Sequence, residues 1–303
     1  MDYITLSRIS LKHLTALHVL LSTHSVTSAA RVLCVTPSSV SKTLGQLREL
    51  MKDDLFYRDG GQLVPTPYAE SIGPDIHKIL TGMNGILHQG KFEPSEFTGE
   101  ISLSMRESTF ELFAPKIAKL SQTLTASRGI NVYAKEQLSF DALNRGQVDF
   151  MLLPHDISQP PTRSRELMWQ QILADEMVCL MNPDHPLANE SLSIDSYLCY
   201  QHIGILDKDL SEPYFEQNLT QQHGARKVVI SVADFGAAAV LCHHSEYLLT
   251  CSKAWARHSL QAKGLIEKPL PFDYGQVAYS LVWNQASLND PALNWLYNQW
   301  IDD

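Results

Sequence analysis

An α/β protein with an all-α head is the fold class this sequence predicts, on three observations. Residues 1–66 place their apolar residues at helical spacing and end in a short hairpin pattern. From about residue 98, strand-like apolar runs alternate with amphipathic helical ones, and the charge balance changes sign between the two regions. The chain has 303 residues, 44% hydrophobic and 19% charged, enough to bury two or three cores, which excludes a disordered chain.

No run of about 18 uncharged apolar residues occurs, and the N-terminus lacks the basic, apolar and small-residue segments of a secretion signal. A cytoplasmic protein without a membrane partner is expected. Five cysteines (Cys34, Cys179, Cys199, Cys242, Cys251) form no CxxC pair, so reduced thiols are expected. The net charge of -9 hides an asymmetry: residues 1–66 balance to +2, which leaves -11 for the remainder. Any phosphate contact is therefore confined to the head, because the body repels a polyanion.

In the head, Leu11, Leu14, Leu17, His18 and Leu21 predict an amphipathic helix with a leucine stripe. A shorter helix capped by Thr27 follows, and its Ala29, Ala30 and Leu33 let a neighbour approach closely. A third starts at Thr36-Pro37, where a hydroxyl accepts from free first-turn N–H groups and proline takes the position that needs no donor. Its Val40, Leu44, Leu47 and Met51 form one buried line. At roughly 100° per residue the opposite face carries Ser38, Lys42, Gly45 and Glu49, flanked by Ser39, Ser41, Gln46 and Arg48.

Short hydroxyls, an amide and cations suit a helix lying in a major groove, bonded to phosphates and base edges; a solvated polar face is the alternative this helix alone leaves open. The order helix, short helix, tight turn, capped polar helix is the helix-turn-helix arrangement and favours the groove. Leu55 to Arg58, Asp59-Gly60-Gly61 and Gln62-Leu63-Val64 then read as a small hairpin turned through glycine. This wing lays Arg58 and Gln62 along phosphates, unless Arg58 pairs with Asp59. The candidate DNA-contacting residues are Thr36, Ser38, Ser39, Ser41, Lys42, Gln46, Arg58 and Gln62.

The run SVTSAARVLCVTPSSVSKTL from Ser25 to Leu44, followed by Leu47-Arg48, Leu55-Phe56-Tyr57-Arg58 and Pro65-Thr66-Pro67, resembles the winged helix-turn-helix of LysR-type transcriptional regulators. The family usually has a Leu-Thr pair and a small residue after the wing. Val64-Pro65-Thr66-Pro67 stands there instead, which resembles the subgroup containing nodulation regulators. In the body, Leu143-Asn-Arg-Gly-Gln-Val-Asp-Phe and Asp184-His185-Pro186-Leu187-Ala188 look like shorter family motifs, so the likeness covers essentially the whole chain. It implies a double-stranded operator DNA partner, held by a homodimer or homotetramer through the third helix. It also implies a linker helix pairing antiparallel with its copy, and a two-lobed periplasmic-binding-protein-like (type 2) effector domain. There a small effector shifts the lobes and hence the heads, with RNA polymerase contact as a further output.

Residues 68–88 carry Ile72, Ile76, Ile79, Leu80, Met83 and Leu87 at helical spacing, interrupted by Gly73-Pro74, Gly82 and Gly85. They read as a helix with weak points, whose stripe packs either on a second chain or on its own head. Gly90 to Gly99, with Pro94, reads as a hinge. Next come a strand over Ile101 to Met105, a helix burying Phe110, Phe113, Ile117, Leu120 and Leu124, a strand over Ile130 to Ala134, and a short helix with Phe140 and Leu143 closing at Gly146. The apolar run from Val148 reads as a buried parallel strand, ended by a proline-rich loop from Pro154 to Pro161.

Further strands are expected near 176–181, 201–205, 228–232, 247–250 and 277–283, and Asp290-Pro291 caps a last helix with Leu293, Leu296, Tyr297 and Trp300 on one face. The expected organisation is a DNA-binding domain over 1–66, linker and hinge over 67–97, and an effector domain over 98–303. Lobe I covers about 98–164 and 270–303 and lobe II about 165–269, with a cleft at the strand ends.

Arg106, Glu107, Ser108 and Thr109, where the first strand yields to its helix, are candidate effector contacts for a carboxylate or other anion; Glu107 opposes a simple anion site, and capping is the alternative. From the second lobe, His202, Gly204, Ser231, Ala233 and Asp234 are comparable candidates. Neither a catalytic motif nor a helical zinc pair occurs: His243 and His244 point about 100° apart. An enzyme, a cofactor and a metal are therefore not expected. Cys34, on the short helix, and Cys179 read as structural. A two-lobed solute-binding protein or small-molecule enzyme with an N-terminal association domain is the competing reading.

Overall fold

The computed structural model describes residues 3–59, 62–87, 92–134, 139–157, 166–206 and 214–301. In chain order the elements are α1 (Tyr3–Arg8), α2 (Leu11–Thr23), α3 (Val26–Val32), α4 (Pro37–Met51), β1 (Phe56–Asp59), β2 (Gln62–Pro65), α5 (Pro67–Leu87), β3 (Glu100–Met105), α6 (Glu107–Thr123), β4 (Gly129–Ala134) and α7 (Asp141–Asn144). They continue as β5 (Phe150–Asp156), β6 (Leu167–Met181), α8 (Ile194–Cys199), β7 (Gln201–Ile205), α9 (Tyr214–Gln222), β8 (Lys227–Val232), α10 (Phe235–His243), β9 (Leu248–Ser252), α11 (Lys253–His258), β10 (Ile266–Pro269), β11 (Gln276–Asn284) and α12 (Pro291–Ile301). Two compact units form: Met1–Pro94 with Phe140–Asp149 and Trp283–Asp303, and Ser95–Ser139 with Phe150–Val282.

The first unit is built on the leucine stripe. Leu17 and Leu20 of α2, Ala29 and Ala30 of α3, and Val40, Leu44 and Leu47 of α4 share one core with Leu55, Phe56, Ala69 and Ile76. Each fully buried leucine contributes roughly 1.5–3 kcal/mol. α1 has no counterpart in the periodicity, and its Tyr3, Ile4 and Leu6 are exposed. Ser25, and not Thr27, caps α3, its side chain accepting from Ser28 N–H, because the helix begins one residue after Ser25. Cys34 lies past the end of α3, exposed and left-handed (φ +54°), so it is not the structural residue expected there.

α5 runs unbroken through Gly73-Pro74, Gly82 and Gly85. Packing supplies what Pro74 removes: Gly73 is buried, with a Cβ there only 3.5 Å from Leu21 Cδ1 of α2, so the two helices approach closely. One side of α5 therefore packs on its own head. Tyr68, Ile79, Ile86 and Leu87 stay exposed on the same helix. α7 and the turn before α12 also meet α5: Arg145 Nη1 is 3.7 Å from Glu70 Oε1 and Asn84 Nδ2 donates to Asp290 Oδ2 at 2.5 Å. Asp290 also caps α12 as expected, accepting from Ala292 N–H at 2.8 Å. Leu293, Leu296 and Trp300 are buried.

The second unit holds a nine-stranded sheet in the order β4-β3-β5-β11-β6-β9-β7-β8, with β10 paired to β6. β3 is parallel to β4 and β5, and β7 to β8 and β9, as βαβ units require; β11 on β5 and β6 on β9 are antiparallel, so the sheet is mixed. β5 does not stop at Pro154. It continues to Asp156, with Pro154 opposite Tyr279 of β11, and residues 158–161 of the expected loop lie outside the described residues. Residues 88–91 of the hinge and the crossing at 162–165 also lie outside them. Phe110, expected in the core, is 38% exposed. No helix among the described residues is long and apolar enough to cross a membrane.

Candidate functional site

α4 presents the polar face that its spacing dictates. Val40, Leu44 and Leu47 are buried, whereas Thr36, Ser38, Ser41, Lys42 and Gln46 are exposed and Ser39 is half-buried. Thr36 is the N-cap: its Oγ1 accepts from Ser39 N–H at 3.2 Å and lies 2.9 Å from the hydroxyls of both Ser38 and Ser39. The three hydroxyls thus form one cluster over the positive end of the helix, a geometry suited to a phosphate. The Ser41 and Lys42 side chains make no hydrogen bond or ion pair among the described residues.

Gln46 is held from outside its own helix. His13 of α2 lies with Nε2 3.4 Å from Gln46 Oε1, while its Nδ1 accepts from Ser10 N–H at 3.2 Å, so the Nε2–H donates to the amide oxygen. That arrangement leaves the Gln46 NH2 group to face outward. His13 carried no sequence signal because a capping box normally places Glu or Gln at this position.

The wing is fixed by residues read as surface. Arg48 donates from Nε to Asp54 O (2.7 Å) and from Nη2 to Phe56 O (2.9 Å), so it anchors the turn while it stays exposed. Asp53 Oδ1 accepts from Leu55 N–H and Thr66 Oγ1–H, both at 2.7 Å, holding Leu55 at φ +59°. Thr66 also caps α5 through Ala69 N–H (3.1 Å), which ties the wing to the linker helix. Arg58 is exposed and lies opposite Leu63. No ion pair joins it to Asp59 among the described residues. Gly60-Gly61 and the Gln62 side chain lie outside the described residues.

The second unit contains a cavity of about 240 Å³. Arg106, Ser108 and Asp234 line it, as the strand-end argument expects. The other candidates do not. Glu107 is exposed beside it, Thr109 is buried behind it with an unpartnered hydroxyl, and Ser231 and Ala233 are exposed on β8 and its turn. Gly204 is buried under β8, where a Cβ would come within 2.8 Å of Ser231 Oγ.

His202 is fully buried and takes part in a network at Arg226. Arg226 Nη1 lies 3.0 Å from Thr250 Oγ1, 3.1 Å from Tyr197 Oη and 3.3 Å from His202 Nδ1, while Nη2 pairs with Glu216 Oε1 at 2.5 Å. The guanidinium also stacks 4.9 Å over Phe215. Because Arg226 only donates, His202 Nδ1 accepts and its Nε2–H donates to Tyr197 O at 2.6 Å. Burial and the neighbouring cation push the His202 imidazole down to about 3, so it is neutral.

Arg226, Glu216, His155, Asp156, Thr250, Ser252 and the aromatic residues Tyr214, Phe215, Phe235, Tyr274 and Tyr279 also line the cavity. Sequence reasoning missed most of these. They come from β5, α9, β9, α10, β11 and the segments before β8 and β11, which meet only through the crossovers of the sheet. His155 is held by Ser280 Oγ at 2.8 Å across β5 and β11.

Cys179, Cys242 and Cys251 are buried, and burial pushes the Cys242 thiol up to about 12. His243 Nε2 lies 2.9 Å from Gln261 O, and no described cluster of three or more His, Cys, Asp or Glu is placed to hold a metal.

Two family models match the chain: the bacterial regulatory helix-turn-helix protein, lysR family, over residues 11–70, and the LysR substrate binding domain over residues 95–302. Among solved structures, PA0477 from Pseudomonas aeruginosa, described as a probable transcriptional regulator, is 25% identical with a TM-score of 0.69, covering 98% of this chain and 97% of its own. Full-length OxyR from the same organism is 14% identical with a TM-score of 0.77 over 96% and 94% of the chains. Full-length CbnR, solved with its target DNA, is 12% identical with a TM-score of 0.58 over 97% and 99%. With a regulatory helix-turn-helix at one end and a substrate-binding domain filling the rest, the chain belongs to the LysR family and is a DNA-binding transcriptional regulator with an effector-binding domain.

Proposed function

We propose that α4 enters the major groove of operator DNA, with Ser38, Ser41, Lys42 and Gln46 facing phosphates and base edges. Thr36 and Ser39 shape its N-terminus, and Arg58 and Gln62 of the wing lie on the flanking backbone. The observation that carries this reading is the exposure of Lys42, Ser41 and Gln46 opposite the buried line of Val40, Leu44 and Leu47. CbnR, bound to its target DNA, supports the same use of the fold here.

The working unit in this reading is a homo-oligomer, dimer or tetramer, assembled in the cytoplasm. Exposed Tyr68, Ile79, Ile86 and Leu87 give α5 an apolar surface for a second copy. The 240 Å³ cavity takes the small effector between lobes covering about 98–164 with 270–303, and about 165–269. Occupancy shifts the heads carried by residues 1–66 through the 67–97 linker and changes what RNA polymerase meets. The nodulation-like subgroup rests on Val64-Pro65-Thr66-Pro67 alone.

A gel shift with the DNA upstream of the protein's own gene tests the reading. Retardation that weakens with salt is expected, and Lys42→Ala lowers the slope of log affinity against log salt by about 0.9 for each phosphate left without its cation. Absence of retardation at low salt, or an unaltered slope, contradicts the assignment of α4.

A further inference from the structure

Glycine is the least favourable helix residue after proline, because its backbone loses the most freedom and no side chain packs in return. Inside a helix it needs a reason: a positive φ, a close neighbour in the chain, or something that approaches from outside. Every other described glycine either has a positive φ, as Gly146 does, or has atoms of its own chain within 4 Å of the place a Cβ would take, as Gly73 and Gly204 do. Gly45 and Gly82 have neither.

Both lie inside helices, on faces that stay exposed. Gly82 of α5 stands between Ile79 and Ile86 at helical spacing, within the apolar surface that this helix offers to a second copy. Gly45 stands near the middle of the 15-residue α4, three residues after Lys42 and four before Glu49, both exposed. A glycine in such a place leaves the helix backbone bare, and an outside partner can come closer there than at any residue with a side chain.

The groups around Gly45 say which partner. Lys42 attracts phosphates and Glu49 repels them, so a contact with DNA runs from Lys42 to Gly45 and stops short of Glu49. Gln46, next to the bare backbone, has its amide oxygen 3.4 Å from His13 Nε2 and turns its NH2 group outward, so a base edge arriving there meets a donor.

Resting on the reading that α4 lies in the major groove, we infer that Gly45 is where operator DNA comes closest to the α4 backbone, and that the DNA and not the fold requires a residue without a side chain there. Stability and binding then oppose each other at this position. A methyl group at residue 45 meets nothing in the chain and improves the helix, but it enters the space that the DNA fills. A close-packed contact does not absorb an added methyl without shifting.

The test compares the full-length parent with Gly45→Ala and Gly45→Leu, by thermal unfolding and by fluorescence anisotropy. Two labelled duplexes of equal length serve as probes, the DNA upstream of the protein's own gene and an unrelated sequence. Alanine and leucine are strong helix formers, so both variants fold, and the midpoint of Gly45→Ala is expected to rise by about 2–4 °C. Affinity for the upstream DNA is expected to fall by about tenfold or more for Gly45→Ala and further for Gly45→Leu. Affinity for the unrelated duplex, which rests on phosphates without close seating, changes by less than about threefold.

Equal or tighter binding of the upstream DNA by Gly45→Ala overturns the inference, and so does equal weakening on both duplexes. A midpoint below that of the parent also overturns it, since the fold itself then needs the glycine. Lys42→Glu separates this inference from the reading beneath it. If Lys42→Glu loses the upstream DNA while Gly45→Ala keeps it, α4 still binds DNA and only the close approach falls. If the parent prefers neither duplex, or Lys42→Glu binds undiminished, the placement of α4 falls too.

Discussion

Replacing Arg226 by methionine keeps an apolar stem and removes the guanidinium, including its stacking over Phe215. The Arg226 side chain is 5% exposed and its partner Glu216 21% exposed. Breaking a buried ion pair by removing one partner typically destabilises by about 3–5 kcal/mol. Glu216 retains some access to solvent and recovers part of its hydration, so the lower end, about 3 kcal/mol, applies here. For a unit of this size each kcal/mol lowers the unfolding midpoint by about 2–4 °C, so a fall of about 6–12 °C is expected by scanning fluorimetry.

A second readout separates the ion pair from simple packing. With the cation gone, the His202 imidazole loses its repulsion and titrates at higher pH, which NMR of the ring protons reads directly. Adding Glu216→Gln to Arg226→Met restores part of the midpoint, because no buried charge is left unpaired. A midpoint within about 2 °C of the parent, or an unmoved His202 titration, refutes the buried pairing of Arg226 with Glu216 beside His202.

Acidification gives another expectation. Burial lowers His77 to about 4 and His202 to about 3, against 6.5 when unfolded, so between those values the unfolded chain binds the extra protons. Stability is full above pH 6.5 and falls as the pH drops, by up to about 2 kcal/mol for each histidine at pH 5, measurable by urea unfolding at pH 7.5 and 5.0. A flat profile contradicts the buried neutral rings. Gly146, at φ +64°, has no room for a side chain because a Cβ there collides with the His77 ring. Gly146→Ala is expected to destabilise by about 1–2 kcal/mol for the left-handed backbone alone, and more for the clash. His77→Ala added to it relieves only the second part; full recovery in the double variant excludes a backbone contribution. Thr36→Ala removes the α4 cap and lowers stability by about 1 kcal/mol; a gain in stability refutes the cap.

How much of this is legible in the sequence differs between the ends of the chain. In the head, short-range chemistry decides: Thr36-Pro37 starts α4, and four spaced apolar residues fix which face is left for DNA. Ser25 and Thr27 are harder to separate, because either hydroxyl suits a cap and only the actual first turn selects one. His13 and Arg48 are unreadable for another reason. His13 acts on Gln46 of another helix and Arg48 on the turn from α4 into β1, and Arg48 sits among polar neighbours that are equally exposed.

In the body, strand positions follow from apolar runs, but the cavity does not. Arg106, Ser108 and Asp234 are readable because they stand at strand ends within βα turns. Arg226 is not, since a charged residue before a strand ordinarily reads as solvated, and only the arrival of Glu216, Tyr197 and Thr250 from three other elements buries it. Gly73-Pro74 suggests a break in the linker helix that packing against Leu21 overrides.

Fluorescence anisotropy of labelled upstream DNA with the Lys42→Glu variant asks most directly whether the exposed side of α4 does the binding. In a dimer each copy exchanges an attraction for a repulsion. At about 1–2 kcal/mol per copy, affinity falls about 30- to 1,000-fold while the unfolding midpoint stays within about 2 °C. Undiminished affinity from a folded variant contradicts the placement of that surface in the groove.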